Sequence, residues 1–119
     1  MESDFVYHVT SQQKWAEAQT KGQFETDSLA TEGFIHCSTA AQVPGVLARY
    51  YSGQNDLVKL KIQKDKVDRP LIFELAGSIN EVFPHIHGTI NLDAIVEVTK
   101  IHQCQISASI PRLLYDLFD

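Results

Sequence analysis

Apolar and polar residues alternate most regularly near the middle of the chain. Between Asp56 and Gln63, three apolar side chains point one way, and Lys59 and Lys61 lie between them. The apolar members are Val58, Leu60 and Ile62. A period of two residues is typical of a strand with one buried face. The pattern therefore predicts a half-buried strand here.

Shorter apolar runs predict further strands. They lie at residues 5–9, 34–37, 71–75 and 94–101. The polar stretch 23–33 is expected to be a loop, because it shows no apolar period. The segment "FPHIHG" is expected to turn, because Pro84 and Gly88 enclose its two histidines.

A first helix is predicted over residues 11–21, where Trp15 and Ala18 share one face. Thr10 and Gln13 form a possible capping box at its start. Gly22 is a suitable C-terminal stop, since glycine adopts the left-handed conformation that ends many helices.

A second helix is predicted after Ser38 or Thr39 and is expected to end at Gly53. Its apolar residues follow the spacing of a buried helical face. They are Val43, Val46, Leu47, Tyr50 and Tyr51. Pro44 fits this helix only in the first turn, because proline lacks the N–H that the helix interior needs.

A last apolar stripe at helical spacing closes the chain. Its members are Ile110, Leu113, Leu114, Leu117 and Phe118. The irregular order of strands and helices favours a mixed α+β fold over a doubly wound sheet. The chain has 119 residues, a length that predicts a single domain over residues 1–119.

Composition narrows the class of protein. No apolar stretch approaches the roughly 20 residues of a membrane span, and the acidic N-terminus does not resemble a signal peptide. We therefore expect a cytoplasmic protein without a membrane partner, in which Cys37 and Cys104 are reduced. The formal net charge of −5 disfavours non-specific nucleic-acid binding. The chain contains no P-loop, GxGxxG, HExxH or GxSxG motif.

Four histidines lie at predicted strand ends or turns, where sites are commonly built. They are His8 in "YHVT", His36 in "EGFIHCS", and His85 and His87 in "FPHIHG". Imidazole titrates near neutral pH and both donates and accepts hydrogen bonds, so it suits proton transfer and sugar binding. Taken singly, each is more often a structural residue bonded to backbone. His102, in a polar stretch, is expected to be structural.

Two other chemistries use the same part of the sequence. His85 and His87 would share one face of a strand and could begin a zinc site. Its remaining ligands would come from His8, His36 or Cys37. Because HxH is common by chance, no metal is expected. Cys37 and His36 are adjacent on a strand and face opposite ways, so Cys37 is expected to be a small buried hydrophobe, not a nucleophile.

Several segments occur in an order that resembles a known family. They are "YHVT" with Trp15 seven residues after its histidine, "SLATEGFIHCS", "DLVKLKI" and "FPHIHGTINLDAIVEV". From about Phe5 to Val98 the chain resembles domain-of-unknown-function family nine-five-two, whose motif has tyrosine where this chain has His87. That family looks like a divergent member of the ADP-ribosyltransferase fold superfamily. The resemblance implies two small twisted sheets around an NAD-binding cleft, with flanking helices.

Within that superfamily, the chain most resembles the RNA 2′-phosphotransferases. Their first strand ends in a histidine-glycine-threonine segment, and their second reads like "HVHLS". The resemblance implies that His8 bonds the nicotinamide ribose or its phosphate, that His36 holds the nicotinamide-side sugar, and that His85 takes the third catalytic position. The other implied nucleotide-binding residues, in the same motifs, are Thr10, Ser38 and His87.

The resulting functional hypothesis is an enzyme that uses NAD or a related nucleotide in glycosyl or phosphoryl transfer. Related enzymes often carry a glutamate at the third catalytic position, for which Glu81 is the nearest substitute. Two alternatives stay open: a nucleotide-binding module without turnover, and a metal-dependent hydrolase that uses the three histidines. RNA is not an expected partner, because the arginines lie outside the motifs. They are Arg49, Arg69 and Arg112.

Overall fold

Strands and helices follow one another irregularly in the computed structural model, which describes residues 4–76 and 80–101. The strands are β1 (Phe5–Ser11), β2 (Gln23–Phe24), β3 (Ile35–His36), β4 (Leu57–Gln63), β5 (Leu71–Ala76), β6 (Glu81–Ile86), β7 (Ile90–Asn91) and β8 (Ile95–Ile101). The α-helices are α1 (Gln12–Lys21), α2 (Asp27–Glu32) and α3 (Val43–Tyr50). The fold is therefore α+β, built from small antiparallel sheets and few helices.

The strand with the most regular alternation is the middle of the first sheet. This sheet has the order β1-β4-β8, and both outer strands run antiparallel to β4. Val58, Leu60 and Ile62 are buried, while the lysines between them are partly exposed. The predicted half-buried strand is confirmed. In its register with β1, Leu60 lies opposite His8.

The second sheet carries the other two candidate histidines. Its order is β3-β6-β5, and all its pairs are antiparallel. His36 lies directly opposite His85 in this sheet. The expected turn at "FPHIHG" is therefore wrong for its first residues, which continue β6. Pro84 still contributes to the pairing through its carbonyl, which accepts from the Cys37 N–H at 2.9 Å and does not need the N–H that proline lacks.

Helix α1 begins one residue later than the predicted cap. Ser11, not Thr10, is its N-cap, and the Ser11 hydroxyl accepts from the Lys14 N–H at 3.1 Å. Thr10 instead stays within β1 and is buried. Gly22 ends the helix in the left-handed conformation, with φ of 91°, as predicted.

The stretch 23–33 is not the predicted loop. It contains β2, which pairs with β7, and the six-residue helix α2. Both elements are too short to show an apolar period, so their sequence carries no signal. Phe24 anchors the segment, because its side chain is fully buried in the core.

Helix α3 follows a 3-10 turn at Ala40–Gln42. The Thr39 N–H donates to the Gln42 side-chain oxygen at 2.9 Å, so Thr39 rather than Ser38 begins this helical region. Pro44 lies in the first turn of α3, where its missing N–H costs nothing. The helix ends at Tyr50, earlier than the predicted Gly53.

The main hydrophobic core lies between the sheets and α1. Its largest fully buried members include Phe24, Ile35, Leu60, Ile62, Ile86 and Ile90. A smaller cluster joins Val9, Val43 and Leu57 beneath α3. No helix within the described residues is both long and apolar enough to cross a membrane. The apolar stripe predicted at residues 110–118 lies outside the described residues.

Candidate functional site

The two larger sheets meet where β3 ends. The Tyr7 N–H donates to the Ser38 carbonyl and the Ser38 N–H donates to the Tyr7 carbonyl, both at 2.7 Å. One residue earlier, the Cys37 N–H donates to Pro84 of β6. The segment after His36 therefore belongs to both sheets. This junction brings β1 close to β3 and β6.

A cleft of about 520 Å³ opens beside the junction. That volume is within the range of small-molecule sites. The residues that line it are His8, Val9, Glu32, Phe34, His36, Cys37, Ser38, Val46, Tyr50, Tyr51, Leu75, Ala76, Phe83 and His85. All three histidines predicted as catalytic are among them. They come from β1, β3 and β6, and the pairing of the sheets unites them.

His8 is held in one tautomer. Its Nδ1 lies 2.6 Å from the carbonyl oxygen of His36, which can only accept, so Nδ1 carries the proton. Burial lowers the pKa of His8 from 6.5 to about 4. The imidazole is therefore neutral at pH 7, and its Nε2 carries a lone pair. One edge of the ring packs against Phe24 at a centroid distance of 5.1 Å.

His36 is the exposed member of the three, with about half of its side chain accessible (51%). Its Nε2 lies 3.2 Å from a carboxylate oxygen of Glu32, four residues earlier in the chain. The imidazole also makes edge contacts with Phe34 at 4.9 Å and with His85 at 5.2 Å. His36 is thus the histidine that a ligand can contact with least rearrangement.

His85 is the buried member, with 3% of its surface accessible. Its Nδ1 lies 2.7 Å from Glu74 Oε1, and Phe34 stacks on its ring at 4.0 Å. Its Nε2 is buried and has no hydrogen-bond partner among the described residues. Such an atom is rare in a folded protein and calls for a physical explanation.

The residues predicted to bind the nucleotide do not lie together. Ser38 lines the cleft and is buried. Thr10 is buried within β1 and is not among the lining residues. His87 also lies outside the lining set, and its Nε2 bonds Glu74 Oε1 at 2.9 Å. Ser38 therefore lies beside the catalytic candidates, whereas Thr10 and His87 are not among the lining residues.

Sequence reasoning missed several residues of the cleft. Glu32, the last residue of α2, was not predicted as a site residue, although it lies only four residues before His36 in the sequence. Phe34 begins the apolar run at residues 34–37, which predicted only a strand, but it is half-buried and lines the cleft. Tyr50 was expected on a buried helical face, yet it is 57% exposed and also borders the cleft. The helical period correctly placed Tyr50 on the apolar face of its helix. The period does not show whether that face packs against the core or borders a cleft.

Cys37 is confirmed as a buried residue, at 2% exposure. Burial raises the pKa of its thiol, so the thiolate is scarce near neutral pH. This does not suit a nucleophile. No group of three or more metal-binding side chains is arranged around a point within residues 4–76 and 80–101.

The fold and site together define a small α+β protein with a histidine-lined cleft. The family described as "Protein of unknown function (DUF952)" matches residues 9–98. The chain belongs to this family. No protein with a curated description matched the sequence.

Solved structures of a bacterial protein share the fold. The crystal structure of protein CC0527 from Caulobacter crescentus is 25% identical, covers 81% of this chain and 84% of that one, and has a TM-score of 0.73. A double mutant of CC0527 gives the same values. The solution NMR structure of CC0527 is 21% identical, covers 90% of each chain and has a TM-score of 0.69. These values show a common fold.

Proposed function

We propose that this protein is a small enzyme with an ADP-ribosyltransferase-like fold that acts on NAD or a related nucleotide in the histidine-lined cleft. The observation that carries the proposal is the convergence of three imidazoles from distant parts of the sequence. His8, His36 and His85 line one cleft of suitable size between two small sheets. The implied reaction is glycosyl or phosphoryl transfer.

The apolar part of the cleft suits a flat heterocycle. Phe34, Tyr50 and Phe83 all border it. Aromatic side chains stack on planar rings with offset or edge geometry, and this favours a nicotinamide or adenine ring over a purely aliphatic ligand. The polar lining groups include Glu32, Ser38 and the three histidines, and these would bind the ribose.

The chemistry of glycosyl transfer needs an anion beside the sugar. When the bond between ribose C1′ and the nicotinamide nitrogen breaks, positive charge develops on the ribose. Glu32 is a cleft carboxylate that can offset this charge, and its contact with His36 keeps it near the proposed sugar position. Glu81 does not suit the role, because it accepts from the Gln42 amide at 2.9 Å and does not line the cleft.

The neutral state of His8 supports binding of a ribose hydroxyl. A neutral imidazole with its proton on Nδ1 offers Nε2 as an acceptor. A charged imidazole would instead repel the developing positive charge on the sugar. The low pKa of His8 therefore matches a ligand that becomes cationic during the reaction.

Ligand-induced thermal shifts test the proposal. NAD or ADP-ribose should raise the melting temperature, since a ligand that binds only the folded state stabilises it by mass action. NAD binding should be accompanied by release of nicotinamide, which chromatography measures. Stabilisation by NAD without release of nicotinamide would contradict the enzyme hypothesis and favour a binding module without turnover. Stabilisation by zinc, with no effect of NAD or ADP-ribose, would contradict the enzyme hypothesis and favour a metal-dependent hydrolase.

The exposed histidine gives the sharpest variant for this test. His36→Ala should abolish the thermal shift with NAD and leave the unliganded melting temperature nearly unchanged, because half of the side chain is exposed. His102→Ala is the control and should bind NAD like the parent protein. Full NAD binding by His36→Ala would show that the ligand lies elsewhere.

A further inference from the structure

Glu74 joins two histidines on one face of the second sheet. Its Oε1 lies 2.7 Å from His85 Nδ1 and 2.9 Å from His87 Nε2. Glu74 is on β5 and His85 is on β6, where their register makes them diagonal neighbours. We call these three residues the Glu74 cluster. Glu74 is not itself one of the residues that line the cleft, although its partner His85 is.

The contacts determine where the protons lie. An ionised carboxylate only accepts hydrogen bonds, so both imidazoles donate to it. The hydrogen bonds from His85 and His87 hold the pKa of Glu74 below its usual value, and the group therefore stays ionised near neutral pH. His85 consequently carries its proton on Nδ1.

The opposite edge of the His85 ring is the unusual one. Nε2 is buried and has no partner among the described residues. In a neutral imidazole only one ring nitrogen carries a proton, so the proton on Nδ1 leaves a lone pair on Nε2. That lone pair belongs to a residue that lines the cleft.

We infer that Glu74 is a positioning residue, which sets the tautomer of His85 and leaves His85 Nε2 able to accept a proton in the cleft. His87 donates to the same carboxylate oxygen. This assigns His87 a role in holding Glu74 in place, instead of contact with the nucleotide. A carboxylate that orients an imidazole through Nδ1–H is a general device for preparing the other nitrogen as a base.

The use of that lone pair in catalysis rests on the proposed function. An acceptor hydroxyl or water attacks ribose C1′, and a C1′–O bond forms. The C1′–N bond breaks, and its electron pair leaves with nicotinamide. The proton of the acceptor passes to His85 Nε2. The stacked ring of Phe34 covers His85, and its rotation gives the acceptor access.

Nitrogen-15 NMR of the histidine side chains tests the positioning role without any ligand. Long-range proton–nitrogen spectra at neutral pH distinguish the two neutral tautomers, and His85→Gln identifies the His85 signals. We expect the Nδ1–H tautomer in the parent protein. Glu74→Ala should shift His85 toward Nε2–H, whereas Glu74→Gln, which retains an acceptor oxygen, should preserve Nδ1–H. Glu97→Ala removes an exposed strand carboxylate from β8 and should change nothing.

An Nε2–H tautomer in the parent, or an unchanged tautomer in Glu74→Ala, would overturn the inference. Kinetics then separate it from the proposed function. If NAD is turned over, Glu74→Ala should lower kcat at least tenfold with the thermal shift by NAD retained. Unchanged kcat would also overturn the inference. If NAD neither binds nor reacts, the proposed function fails, and the NMR result alone still decides the role of Glu74.

Discussion

His8 shows how burial sets the charge of a single side chain. Its pKa falls from 6.5 to about 4 because burial shields much of the ring from water, and the bond to the His36 carbonyl only partly offsets this. The unfolded chain has no such burial, so its imidazole binds a proton below about pH 6.5. Folding is therefore linked to the protonation of this residue.

The linkage predicts a loss of stability in mild acid. Between pH 6.5 and about 4, the unfolded state binds the proton and the folded state does not, so stability falls as pH falls through this window. The full difference in pKa corresponds to about 3 kcal/mol. His8→Asn, which keeps a donor for the His36 carbonyl, should remove this contribution.

Urea unfolding at pH 7.5 and pH 4.5 measures the effect. The parent should lose more stability than His8→Asn between the two pH values. Glu97→Gln, a change on the exposed face of β8, should retain the pH dependence of the parent. Equal pH dependence in His8→Asn and the parent would mean that the ring is protonated in the folded state.

The hydrogen-bond partners of the other histidines follow from geometry that the residues alone do not reveal. The spacing of His85 and His87 suggested a metal pair, and the family resemblance implied a nucleotide contact for His87. The structure instead shows both donating to Glu74. A sequence shows that two imidazoles share a strand face, but it does not show which group on the neighbouring strand meets them.

At the level of elements, long periodic segments were predicted well. β4 and α1 were found with bounds near those expected, because many residues repeat the same pattern. β2, β3 and α2 have two, two and six residues, and their existence depends on partners far away in the chain. Local sequence carries little information on such short elements.

Gly33 links a short helix to the site. It ends α2 with φ of 90°, and its N–H bonds the carbonyls of Ser28 and Leu29. The next residue is Phe34, so this turn aims the chain into β3 and the cleft. Gly33→Ala should destabilise the protein by about 1 kcal/mol, because a side chain strains the left-handed conformation.

Gly45 is a matched control for that substitution. It lies inside α3 with ordinary helical geometry, and a new Cβ would meet only the flexible Arg49 side chain, at 3.4 Å. Gly45→Ala should therefore stabilise the protein by roughly 0.5–1 kcal/mol. Chemical denaturation measures both variants. Two changes of the same sign would show that the left-handed conformation at Gly33 is not what matters.

At the scale of the whole molecule, the junction between the sheets holds the site together. The paired bonds between Tyr7 and Ser38 connect β1 to the end of β3. Cys37 lies between this pair and β6, and its side chain is buried in the main core. Access to its thiol therefore reports separation of the two sheets.

Cysteine alkylation measures that separation. In a Cys104→Ser background, iodoacetamide should modify Cys37 more slowly than it does in the unfolded chain, by a factor on the order of 10³ or more. The cause is burial, which also raises the pKa of the thiol. The rate should rise with urea in step with global unfolding.

A cysteine introduced on the surface controls for reagent activity. Glu97→Cys in a background without the native cysteines should react rapidly, because position 97 is 59% exposed at the side chain. Rapid modification of Cys37 under native conditions would show that the sheets separate without global unfolding, which would conflict with a preorganised cleft.

The sequence by itself determined the α+β class, the longer strands and helices, the burial of Cys37 and the set of histidines worth testing. These follow from local periodicity and from the chemistry of individual side chains. Only the tertiary structure decided that His8, His36 and His85 line one cleft. It also decided that Glu32 and Phe34 line the same cleft. The hydrogen bond between Glu74 and His85 is likewise a result of the tertiary structure. These relations depend on which strands pair and in which register. Burial of the whole core selects that pairing, and no single segment of the sequence determines it.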